Sequence, residues 1–91
     1  MSRTVAITGM GAVTAAGIGA AALWDAARTG RSGVRPVAGP GYEQSRVRIA
    51  AMVEGFDPLA YVTPELLRTL DPFSTMAIAA ADEALTQAGL R

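Results

Sequence analysis

Thr4-Val5-Ala6-Ile7-Thr8 runs without a break into a stretch punctuated by Gly9, Gly11 and Gly17. The five residues carry no charge on either face, so their pattern predicts a short strand buried on both sides, as in a parallel sheet. The glycines predict tight backbone turns with positive φ. A buried parallel strand is demanding, because each parallel neighbour is reached only through a crossover of about a dozen residues or more. The rest of the chain therefore has to be searched for the partners of this strand.

The search finds helices first. The spacing predicts a helix over Ala20–Thr29, with Ala20, Leu23, Trp24 and Ala27 as its apolar stripe and Gly30 as its stop. Residues 30–45 are rich in Gly and Pro without periodicity and read as a loop. Arg46–Ala50 alternates charged with apolar residues and predicts a half-exposed strand. Phe56-Asp57-Pro58 predicts a turn or a short helix start. Thr63-Pro64-Glu65 supplies a cap, a first-position proline and an early acid for a short helix, and Asp71-Pro72 repeats that signal.

The second signal opens the longest periodic segment, Pro72–Ala88, with Gly89 at its end. Phe73, Met76, Ala77, Ala80, Ala81, Ala84, Leu85 and Ala88 define its expected buried face, and Asp82, Glu83 and Gln87 its wet side. One two-sided strand and one weak strand do not make a sheet. The inventory predicts an α/β chain that forms the first part of a larger, incomplete domain spanning residues 1–91.

Composition removes many chemistries. The 91 residues contain no His and no Cys. Disulfides, thiolate nucleophiles, imidazole bases and ordinary zinc sites are therefore excluded within this chain. All eight basic residues are Arg, balanced by eight acids, and a net charge of zero gives no footprint for nucleic acid. Thr4–Trp24 is uncharged and long enough to cross a bilayer, but four Gly and three Thr leave it weakly hydrophobic. It also lacks the compact apolar centre of a signal peptide. The expectation is a soluble cytoplasmic protein with no membrane partner.

The glycine loop fails as a nucleotide site. A dinucleotide fingerprint needs G-x-G-x-x-G, but Thr14 occupies the third position and Asp25 falls inside a helix. A Walker loop needs Lys, which the chain lacks. A turn between strand and helix is the plainer reading; a nucleotide-binding oxidoreductase segment is the remote alternative.

Four stretches together resemble a known family: VAITGMGAVTAAG, LWDAARTGRSGV, RIAAMVEGFDP and LDPFSTMAIAAADEALTQAGL. In this order and spacing they are similar to the opening of a β-ketoacyl-[acyl-carrier-protein] synthase. The resemblance spans nearly the whole chain and implies a thiolase-like αβαβα fold. It implies a decarboxylative condensation of an acyl thioester with malonyl-carrier protein, in fatty-acid or polyketide biosynthesis. The Cys nucleophile and the two His of that family lie later than the matched region. The resemblance therefore assigns no catalytic residue, metal or cofactor to these 91 residues, and implies that they are inactive by themselves.

Ser32, Ser45 and Ser74 have no base and read as turn and helix-start residues. Family members carry basic residues before the last helix that dock the acidic acyl carrier protein. Only Arg68 matches that role here, and it could equally pair with Glu65. Ala15 and Pro72 depart from residues common in the family and leave the subfamily open. The partners implied are acyl carrier protein and a homodimeric or ketosynthase/chain-length-factor heterodimeric assembly. A non-catalytic chain-length factor is the alternative parent. Lacking sheet partners, the isolated chain is expected to fold poorly, aggregate, or persist only in an oligomer.

Overall fold

The computed structural model describes residues 2–91. Two short antiparallel hairpins and three helices make up its regular structure. β1 (Val13–Thr14) and β2 (Gly17–Ile18) pair with Val13 opposite Ile18 and Thr14 opposite Gly17. α1 spans Ala20–Thr29. β3 (Val34–Pro36) pairs with β4 (Ile49–Ala51), with Arg35 opposite Ala50. A 3-10 turn at Pro58–Ala60, α2 (Pro64–Leu67) and α3 (Pro72–Gln87) complete the order.

The helices begin and end where local chemistry directs. Asp57 accepts from the Leu59 N–H at 3.1 Å and Thr63 Oγ1 from the Leu66 N–H at 3.2 Å, each with a proline opening the turn that follows. Gly30 closes α1 in the left-handed region at φ 74°. At the end of α3, the Gly89 N–H bonds to Thr86 O at 3.1 Å and the Leu90 N–H to Leu85 O at 2.9 Å. With Gly89 at φ 76° this is a Schellman closure, and it gives the Ala-Gly-Leu ending a physical cause. Asp71 holds the cap position of α3, yet its side chain accepts nothing there. Its carbonyl instead receives the Ser74 and Thr75 N–H groups.

Three expectations need correction. Thr4–Thr8 is not a strand, because a strand is defined by its ladder and no described segment runs beside it. Val5 and Ile7 are 87% and 81% exposed. The strand expected at Arg46–Ala50 lies at Ile49–Ala51, and its partner β3 falls inside the stretch read as a loop. Register in such a short pair follows cross-strand bonding, which alternation in one strand alone does not fix.

The apolar faces are also rotated. In α3 the row Met76–Ala80–Ala84–Ala88, expected to be buried, is half-buried, and Phe73, Ala77, Ala81 and Leu85 are exposed. The row that joins the covered side is Thr75–Ala79–Glu83, with Thr75 and Ala79 buried. In α1 the buried residue is Ala26; Leu23, Trp24 and Ala27 face outward. Both helices turn small residues inward, which brings their backbones close to neighbouring chain and leaves the bulky residues outside.

Candidate functional site

α3 is the backbone against which the glycine-rich opening is laid. Residues 9–12 run along it from its C-terminal end towards its middle. The Met10 N–H donates to Gln87 Oε1 at 2.7 Å and the Ala12 N–H to Glu83 Oε1 at 3.0 Å. Gly9 and Gly11 lie on the helix itself. A Cβ on Gly9 would collide with the Ala84 carbonyl oxygen, and one on Gly11 with that of Ala80. These two glycines serve close approach and lack positive φ, which corrects the turn role expected of them; Gly17, at φ 141°, keeps that role.

Glu83 is the residue on which the arrangement converges. Besides Ala12, its carboxylate accepts from the Ala20 N–H at 3.2 and 3.0 Å, at the first position of α1. Gly19, the cap residue of α1, adopts φ 105° and ψ 154°, a conformation reserved almost wholly to glycine. The residue that can take that shape has no side chain with which to cap. Ala20-Ala21-Ala22 offers no acid in the first turn either. The free N–H groups of a helix start need an acceptor, and the partial positive charge there favours an anion. Glu83 supplies both from 63 residues away.

That placement decides the nucleotide question on physical grounds. In a phosphate-binding loop the helix start after the glycines points its N–H groups at the phosphate. Here a carboxylate of the protein already occupies that position. A cleft of about 230 Å³ opens beside it, between Val13, Ile18, Tyr61, Ala79 and Glu83. Its one ionisable carboxylate is committed to the cap. Glu83 and Gln87, expected on the wet side of α3, instead hold the backbone of residues 10–20. The available signal was negative: a helix start with no local cap has to be capped from elsewhere.

Arg68, the predicted docking residue, is the C-cap of α2 and is exposed. Among the described residues the ion pairs are Arg28–Asp25 at 2.7 Å and Arg91–Asp82 at 2.6 Å, so Arg68 does not pair with Glu65. The serines take turn positions: Ser32 Oγ accepts from the Val34 N–H and Ser45 Oγ from the Val47 N–H, each at 3.1 Å. Ser74 lies in the first turn of α3. Among the described residues no group of three or more His, Cys, Asp or Glu side chains is placed to hold a metal ion. No helix there is long and apolar enough to cross a membrane.

The fold and this cap define a mixed α/β unit whose glycine loop is a packing device. Comparison with known proteins then specifies it. Residues 2–91 match the family model described as "Beta-ketoacyl synthase, N-terminal domain". Polyketide beta-ketoacyl synthase 1 of Streptomyces cyaneus is 44% identical over 91 residues, covering 99% of this chain and 21% of that protein. The synthase 2 of the same organism is 38% identical over 89 residues, covering 98% and 21%. The 3-oxoacyl-[acyl-carrier-protein] synthase 2 of Coxiella burnetii is 34% identical over 88 residues, covering 97% and 21%. This chain belongs to the beta-ketoacyl synthase family, and it spans about a fifth of the length of these relatives.

Proposed function

We propose that these 91 residues are the N-terminal portion of the first half of a thiolase-like 3-oxoacyl-[acyl-carrier-protein] synthase and have no condensing activity alone. The match of residues 2–91 to the N-terminal domain of that family carries the reading. The absence of Cys and His from the sequence supports the second clause, because thioester exchange needs a thiolate. The role of the segment is architectural: Glu83, Gly9 and Gly11 fix the strand-to-helix opening against α3. The whole enzyme would join an acyl thioester to malonyl-carrier protein with loss of carbon dioxide, acting as a homodimer or as one half of a heterodimer.

Arg68 is proposed to contact the acidic carrier protein; its exposure and its lack of an ion-pair partner among the described residues support that role. The test is a chimera in which these residues replace the matching opening of the Streptomyces cyaneus synthase 1. Malonyl-carrier-protein-dependent product formation by the chimera, and none by the 91-residue chain, is the expected result. Condensation by the chain alone, or an inactive chimera that folds normally, contradicts the proposal.

A further inference from the structure

Gly9 and Gly11, two residues apart, lie over the carbonyl oxygens of Ala84 and Ala80, which are four residues apart on α3. The Met10 and Ala12 N–H groups, also two residues apart, donate to Gln87 and Glu83, again four apart. Each step of two residues along the opening segment therefore matches a step of four back along the helix. The match has a metric cause. Two residues of extended backbone advance about 6.6 Å, and four residues of α-helix about 6 Å.

We infer that Glu83 and Gln87 are positioning residues that, together with Gly9 and Gly11, lock residues 9–12 onto α3 in a single register. The two side chains place acceptors at the helical repeat, and the two glycines give clearance at the matching repeat of the segment. The division of labour follows from chemistry. Every residue of the segment has the same N–H donor, so Glu83 and Gln87 set the spacing of the bonds without choosing which residues make them. The glycines make that choice.

Every neighbouring register is closed by sterics. Moving the segment by one residue would set Thr8 and Met10, or Met10 and Ala12, over the Ala84 and Ala80 carbonyls. Moving it by two would set Ile7 or Val13 over one of them. A Cβ at either place meets main chain, which has no rotamer with which to yield. The register matters beyond the segment, because the Glu83 oxygen that receives the Ala12 N–H also receives that of Ala20. The Gly19 N–H donates to Ala12 O at 2.8 Å, so a slipped segment would also pull away from the start of α1.

The test follows amide exchange at Met10, Ala12 and Ala20 in the chimera with the Streptomyces cyaneus synthase 1. Gln87→Ala should speed exchange at Met10 about tenfold and leave Ala12 and Ala20 unchanged. Gln87→Glu keeps an acceptor oxygen and should leave Met10 protected. Exchanging the two side chains, Glu83→Gln with Gln87→Glu, keeps an oxygen at both places. Met10 and Ala12 should then stay protected, while Ala20, deprived of the second carboxylate oxygen, exchanges faster. Met10 is exposed, and Met10→Ala should leave both segment amides protected, whereas Gly9→Ala should speed exchange at Met10 about tenfold or more. Unchanged exchange at Met10 in Gln87→Ala overturns the inference, as does equal loss of protection in Met10→Ala and Gly9→Ala. Loss of protection at Met10 and Ala12 in the exchanged variant, or amides there that are unprotected before any substitution, overturns it as well.

Discussion

At the scale of single residues, Glu83 and the two inner glycines do what no local motif announces. Removing the Glu83 carboxylate by Glu83→Ala leaves the Ala12 and Ala20 N–H groups without their acceptor. Each half-buried group left unmet costs about 1–3 kcal/mol. Glu83→Gln keeps one acceptor oxygen but loses the charge at the helix start, for about 0.3–1 kcal/mol. Thermal melts of the chimera should rank wild type above Gln above Ala; an Ala variant as stable as wild type would mean that the cap is dispensable. Gly11→Ala forces residues 9–12 off α3, because the added methyl meets backbone that has no rotamer with which to yield. Its expected cost is about 1–3 kcal/mol, and faster amide exchange at Met10 and Ala12 should accompany it. Arg68→Glu should raise the KM of the chimera for carrier protein severalfold, leave kcat unchanged, and lose its effect at high salt. An unchanged KM removes Arg68 from the docking surface.

At the scale of elements, the sequence was legible wherever structure is decided within a few residues. Thr63, Asp57, Gly30 and Gly89 mark helix limits because a cap or a left-handed turn needs only near neighbours. Strands were not legible, since Thr4–Thr8 has the composition of a strand and no ladder, whereas β3 has a ladder and the composition of a loop. The direction of a helix face is likewise a tertiary fact. Leu and Trp in α1 and Phe73 in α3 fit an apolar stripe by spacing, but close-packed alanines and Thr75 take the inward side. The caps give a clean contrast within one chain. Thr63→Ala should cost about 1 kcal/mol, because its hydroxyl holds the Leu66 N–H. Asp71→Ala should cost less, since the Asp71 side chain accepts no bond at the cap and contributes only charge beside the helix start. Chemical denaturation of the chimera separates the two, and an equal or larger loss at Asp71 would contradict the geometry.

At the scale of the whole molecule, the local order of these elements is not matched by a core. Among the described residues, buried side chains are confined to Ala26, Val62, Thr75 and Ala79, three of them small or polar. Trp24 and Phe73 are 67% and 71% exposed. The radius of gyration is 16.6 Å, against about 12 Å for a compact chain of this length. Hydrophobic burial scales with area removed from water, so so little burial cannot offset the conformational entropy of ordering the backbone. Local signals at Gly30, Thr63 and Gly89 still limit the helices, however, which need a surface on which to lay their apolar rows. The 91-residue chain in dilute solution should therefore show helical circular dichroism, bind a hydrophobic dye, and lose its signal over a broad range of urea. Within the chimera, dye binding should fall and the transition should sharpen, because the exposed rows then join one cooperative core. A sharp, reversible transition from a dilute monomer of the free chain would show instead that four buried side chains and a tertiary cap suffice for a cooperative fold.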